Sequence, residues 1–159
     1  MISIIEESFF RGIMIQKGNG LVITASVVFS GSLIYSLFHF IKIPLTIDET
    51  IYWDTGLFGL LKAFANIFNI IHFDAALTLL VFGIFLAVIR LNLKTISYCI
   101  GLHAGFVFLI KTTKKFSDVD LYSKHNYLVS DHDQFLGSAA TIWITTLLII
   151  YLFYKCKAR

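Results

Sequence analysis

Residues 21–41, LVITASVVFSGSLIYSLFHFI, decide the fold. A helix of about 20 apolar residues crosses the roughly 30 Å of hydrocarbon in a bilayer. Here the apolar run is interrupted only by small hydroxyl residues (Thr24, Ser26, Ser30, Ser32, Ser36) and by His39 near its end. Small residues let helices approach closely, which suits a packed bundle rather than a lone anchor. Pro44 closes the segment, and Asp48, Glu49 and Asp54 form an acidic connection beyond it.

The composition agrees with that reading. Of 159 residues, 57% are hydrophobic and 14% charged, with one proline and a mean hydropathy of +0.80. A soluble domain is about half apolar and about a quarter charged, so this chain is a membrane protein whose first partner is the lipid bilayer. Sixteen Phe and seven Tyr strengthen the case, because aromatic rings suit lipid and its interface but not a small soluble surface. A net charge of +3, dispersed along the chain, does not argue for nucleic acid. Cys99 lies in an apolar run and Cys156 in a basic tail. Two such cysteines give no disulfide framework and no redox compartment. The N-terminus lacks the basic region and cleavage site of a secretory signal, so no removed leader is expected.

Outward from the deciding stretch, five further segments follow. Upstream, Met1 to Gln16 is short, carries charges and ends in the helix-stop signal Lys17-Gly18-Asn19-Gly20. Downstream, Leu57, Leu60, Leu61, Phe64, Ile67, Phe68 and Ile71 recur at helical spacing, with Lys62, Asn66 and Asn69 opposite. This pattern predicts an interfacial or re-entrant amphipathic helix. Ala75–Ile89 and Thr95–Ile110 read as membrane segments, 111–134 as a polar loop, and Phe135–Tyr154 as the last span before Lys155, Lys157 and Arg159. In that loop His125, Asp131, His132 and Asp133 read as solvated residues rather than a metal site. The expected fold is a single all-α domain over 1–159. It is a polytopic bundle of about five membrane-embedded helices plus the amphipathic one. The Lys and Arg distribution favours a cytoplasmic C-terminus, because alternation then puts seven basic and no acidic residues of the connections and tail inside.

Ionisable groups within membrane segments cost about 2.5 to 3.5 kcal/mol each for the strongly charged types, which makes them functional candidates. They are Glu6, Glu7, Arg11, His39 and His103. Glu7 and Arg11 stand at i and i+4, where a helix stacks them on one face as a pair. Glu6 points about 100° away from Glu7, with Phe10 one turn on. Its partner has to come from another helix, and His39 and His103 are the available ones.

These residues fall in three motifs that resemble those of the CPBP intramembrane proteases, a family that includes the CAAX prenyl endopeptidases and bacteriocin-processing and immunity-associated proteins. Glu6-Glu7 with Arg11 matches EExxxR, including the continuation Phe10-Arg11-Gly12. His39 matches the histidine of FxxxH, with Tyr35 at the phenylalanine position. Gly101-Leu102-His103-Ala104-Gly105-Phe106-Val107-Phe108 is similar to HxxxN, with Val107 where many members have asparagine. The likeness runs over 6–108.

The resemblance implies an integral protein of a bacterial inner (plasma) membrane, acting on a membrane-associated or lipidated peptide or protein. It implies that Glu6 acts as general base with His39 sharing the water, that Glu7 and Arg11 form a supporting clamp, and that His103 is an oxyanion donor or second water partner. No cofactor is expected. Three functions stay open: this metal-free endopeptidase, a zinc-dependent version with Glu6, His39 and His103 as ligands, and a non-catalytic immunity or interaction protein that keeps the bundle. Plainer readings compete residue by residue: a structural Glu7–Arg11 pair, a snorkelling Glu6, a helix-end His39, and a His103 bonded across helices for packing. With a turn at Asn19, Glu6 and His39 differ by about 10 Å in depth at 1.5 Å per residue. Their meeting therefore predicts either a first helix that runs past Lys17 or a second that starts nearer Thr24.

Overall fold

The computed structural model describes residues 2–15, 20–41, 54–67, 73–117, 124–129 and 135–157. Among these the chain is helical throughout, with no strand. A first α-helix, α1 (Ile2–Glu7), widens directly into a π-helical segment (Ser8–Met14). It is followed by α2 (Leu21–Phe38), α3 (Thr55–Ile67), α4 (Phe73–Leu93), α5 (Ser97–Phe116), a 3₁₀ turn (Asn126–Leu128) and α6 (Ser138–Lys157).

Three of these helices, α2, α4 and α6, are long and apolar enough to cross a membrane. The expected number of about five embedded helices thus stands at three by length and composition. The N-terminal helical stretch is too short. α5 has the length, but it continues through Lys111, Lys114 and Lys115 to Phe116, where the sequence pattern had put the start of a loop. Helices do not end at lysine, a good helix former that also complements the C-terminal dipole. The rest of that loop, including Asp131, His132 and Asp133, lies mostly outside the described residues. α3 matches the amphipathic expectation, with Leu57, Phe58, Leu61 and Phe64 exposed.

At the centre is the pairing of α2 with α4, the most extensive helix contact, with α4 also packed on α5 and α6. Small residues make the approach possible, as the sequence suggested. A Cβ on Gly83 would lie 3.0 Å from the Ser32 Cβ and 3.2 Å from its Cα, so the two backbones are nearly in contact. Several polar groups along these seams find partners within the bundle, as lipid requires, while the buried Ser32 hydroxyl beside Gly83 has none among the described residues. The Ser36 hydroxyl donates to the Ala76 carbonyl at 2.7 Å. Thr78 donates to the Gly137 carbonyl at 3.1 Å and lies 2.7 Å from the Thr141 hydroxyl, tying α4 to α6. Phe10, Tyr35, Leu79, Phe82, Leu86 and Ile144 fill the core between them. Leu21, Val22, Ile142, Trp143 and Phe153 face outward, where hydrocarbon is their natural solvent.

The two helix adjustments expected for Glu6 to meet His39 do not occur: the first segment stops at Met14 and the second begins at Leu21. Ile15 leaves the π segment in extended backbone (φ −90°, ψ 99°). An extended residue advances about 3.3 Å against about 1.5 Å in a helix, which offsets about 2 Å of the expected difference in depth; the rest of the connection, 16–19, lies outside the described residues. Gly20, at φ +129°, opens α2 in a conformation that favours glycine.

The Gly83 contact yields a paired prediction. Gly83→Ala forces α2 and α4 apart and should destabilise the bundle by about 1–3 kcal/mol. Gly105→Ala, whose Cβ meets nothing within 4 Å, should not. Thermal unfolding in detergent micelles measures both, and equal midpoints would contradict the close α2–α4 approach.

Candidate active site

All five ionisable residues singled out from the sequence come together at the meeting of α1, α2 and α5. Glu7 and Arg11 are buried, at 0% and 1% exposure. The Arg11 Nη1 lies 3.2 Å from the Glu7 Oε1, the i, i+4 pair that the spacing predicted. Arg11 is gripped further by α4, which receives its Nη2 at the Gly83 carbonyl, 3.4 Å away. Its guanidinium also stacks 4.2 Å from the centre of the Tyr35 ring, a contact of about 2 kcal/mol when desolvated. The Arg11 backbone carbonyl accepts a hydrogen bond from Arg90 Nε at 3.2 Å. Thus α4 fixes both the side chain and the backbone of this residue.

Glu7 is not satisfied by Arg11 alone. His103 Nδ1 lies 2.8 Å from the Glu7 Oε1, and His103 is itself 4% exposed. The carboxylate accepts, so Nδ1 carries a proton, and the other ring nitrogen, Nε2, lies toward Glu6. Glu7 thus contacts His103 as well as Arg11.

His39 is held in the same way by a different acceptor. Its Nδ1 lies 3.0 Å from the Tyr35 carbonyl oxygen, one turn back on α2. That oxygen only accepts, so Nδ1 again carries a proton and Nε2 is left toward Glu6. The two Nε2 atoms converge on Glu6: the Oε2 of this carboxylate is 3.9 Å from His39 Nε2 and 3.6 Å from His103 Nε2. Both separations exceed a direct hydrogen bond. Glu6 as a whole is 26% exposed, whereas its Oε2 is buried and has no hydrogen-bond partner.

A cavity of about 230 Å³ opens beside these groups. Tyr35, His39 and His103 form one end, and Leu79, Phe82 and Phe106 line its apolar wall. Lys111 and Lys114 stand at the other end, further along α5. Tyr35 and Val107, the two positions that depart from the motifs, both line it. Its lining is thus largely apolar, with polar side chains at a few points. Among the described residues no group of three or more His, Cys, Asp or Glu side chains is arranged to hold a metal ion.

Three residues that position the site were missed in the sequence. Gly83 contributes a carbonyl, which no side-chain pattern reveals. Arg90 is a basic residue in the last turn of an apolar helix, a visible signal that did not by itself point to Arg11. Tyr35 was noted only as a departure from a motif, yet it touches Arg11 and stacks edge-on at 4.5 Å to the His39 ring and 6.3 Å to the His103 ring.

Removing one member of the buried cluster should expose its cost. Arg11→Met leaves the Glu7 carboxylate without its cation and should destabilise the protein by about 3–5 kcal/mol. Adding Glu7→Gln to that variant should restore part of the loss. Denaturant or thermal unfolding in micelles reads both, and strictly additive losses would refute the coupling.

Comparison with known proteins places these residues in a wider setting. No curated protein and no solved structure matches the chain. A family description does: that of the type II CAAX prenyl endopeptidase Rce1-like proteins matches residues 1–109, which span α1, the π segment, α2 and most of α5, and therefore every residue of the cluster. On the strength of that match, the chain is an integral membrane protein that belongs to the type II CAAX prenyl endopeptidase Rce1-like family.

Proposed function

We propose that this chain is an intramembrane endopeptidase that hydrolyses a peptide bond in a membrane-associated or lipidated substrate through a water activated by Glu6 and His39. One observation carries the reading. A buried carboxylate oxygen without a hydrogen-bond partner faces the Nε2 atoms of two histidines from two other helices, at 3.9 and 3.6 Å. With both Nε2 atoms unprotonated in the active form, a water that enters between these three groups gives its two hydrogens to acceptors already in place. Membership in a family of prenyl endopeptidases supports the reaction class.

In this mechanism Glu6 takes a proton from the water as its oxygen attacks the substrate carbonyl carbon. His39 Nε2 accepts the second water hydrogen and orients the nucleophile. Positioning the water in this way turns the attack into an effectively unimolecular step. Collapse of the tetrahedral intermediate breaks the C–N bond, and the leaving amine takes the proton from Glu6. Glu7, clamped by Arg11, holds the His103 ring so that its Nε2 forms the third side of the water site. The apolar cavity excludes bulk water, so each of these electrostatic contacts acts at low dielectric.

The same reading needs no cofactor. Zinc would have to lie about 2.0 to 2.2 Å from its donors, and the described residues offer no such group, so no step is routed through a metal. It also assigns the chain to a bacterial inner membrane with a cytoplasmic C-terminus, consistent with Lys155 and Lys157 in the last turn of α6. The non-catalytic alternative rests on Val107, which removes a hydrogen-bonding group from the cavity wall.

The test is cleavage of an internally quenched, prenylated peptide by the purified protein in lipid vesicles. Glu6→Gln and His39→Ala should each lower kcat by at least about 10²-fold, with unfolding midpoints near wild type because both side chains are partly exposed. Full activity after exhaustive chelation should accompany this. Loss on chelation would restore the zinc version, and a wild type no more active than Glu6→Gln would favour the non-catalytic protein.

A further inference from the structure

The proposed hydrolysis creates a negative charge on the substrate carbonyl oxygen, and an endopeptidase needs a donor aimed at that charge. The polar groups that line the cavity are few, and most are committed. His39 uses its Nδ1 proton on the Tyr35 carbonyl, and His103 uses its own on Glu7. Thr78 is bonded at the α4–α6 seam, where its hydroxyl lies within bonding distance of the Asp74 carbonyl, the Gly137 carbonyl and the Thr141 hydroxyl. Val107, one turn beyond His103, offers only methyl groups. Lys111 and Lys114 are 8 and 11 residues past His103 on α5, which places their backbones about 12 and 16 Å along the helix axis. Tyr35 remains as the neutral donor at the histidine end.

We propose that the Tyr35 hydroxyl is the oxyanion donor of this site, a catalytic role that rests on the endopeptidase reading above. Tyr35 lines the cavity between both histidine rings. Its ring is fixed by edge-on contact with Phe10 at 5.2 Å and by the Arg11 guanidinium on its face at 4.2 Å. When the water oxygen bonds to the carbonyl carbon, the π pair moves onto oxygen and accepts the Tyr35 O–H hydrogen bond. When the intermediate collapses the pair returns, and Tyr35 has neither gained nor lost a proton.

Tyr35→Phe removes the hydroxyl and keeps the ring, with its contacts to Phe10, Arg11 and the histidines. In the vesicle assay with the quenched prenylated peptide, it should lower kcat by about 10²–10³-fold while KM stays within about twofold. Placing Val107→Asn in that variant puts an amide donor on the same cavity wall and should recover at least about tenfold of the loss. Activity of Tyr35→Phe within about threefold of wild type overturns the proposal while leaving the endopeptidase reading intact. So does a loss that Val107→Asn fails to recover, since that pattern belongs to packing. A wild type that does not cleave, or that cleaves no better than Glu6→Gln, overturns both.

Discussion

The buried cluster of Glu7, Arg11 and His103 is the constraint on which the rest depends. A carboxylate and a guanidinium at nearly zero exposure in a membrane bundle are costly unless partners surround them. The chain supplies partners from separate elements: the Gly83 carbonyl and Arg90 from α4, the Tyr35 ring from α2, and the His103 imidazole from α5, while Glu7 Oε2 and Arg11 Nε make no hydrogen bond among the described residues. Each of these contacts orders a helix relative to the N-terminal segment. A short helical stretch that is too brief to span the bilayer is thereby held at the centre of the protein.

The same constraint divides the two adjacent glutamates. Helical geometry turns Glu6 about 100° from Glu7, so when Glu7 is drawn into the cluster Glu6 points another way. Its Oε2 lies 3.9 and 3.6 Å from the Nε2 atoms of His39 and His103, two residues that line the cavity. The packing of α2 on α4 is part of this arrangement, because only a glycine at position 83 brings a backbone carbonyl within reach of Arg11 while Ser32 lies against its Cα. Stability and chemistry therefore share residues. Tyr35 is the clearest case, buried at 1% exposure, stacked on the structural guanidinium and facing the cavity.

Much of this was legible in the residues. The apolar runs announced a membrane protein because no soluble fold tolerates such a composition, and the spacing of Glu7 and Arg11 announced a pair because an α-helix stacks i with i+4. All five ionisable residues proved to be neighbours, which follows from the cost of leaving any one of them alone in lipid. Helix ends were less legible: α5 runs on through three lysines, since helix propensity at a polar boundary does not distinguish helix from loop. The depth argument for Glu6 and His39 took a turn at Asn19, which lies outside the described residues, and regular helix on both sides of it, which Ile15 interrupts.

What the sequence by itself determined is the inventory: helices, a membrane setting, and a set of five residues whose charges require one another. Their partners were decided only in the tertiary structure. Periodicity states which face of a helix a side chain occupies, but not which neighbouring helix that face will meet or at what height. His103 could have served Glu6 alone, and it bonds Glu7. Gly83 and Arg90 carry no pattern that ties them to Arg11, because a carbonyl or a guanidinium becomes a specific partner only when packing sets its distance. Glu6 and Glu7 look equivalent on paper, and three-dimensional contact buries Glu7 against Arg11 and leaves Glu6 between two histidines.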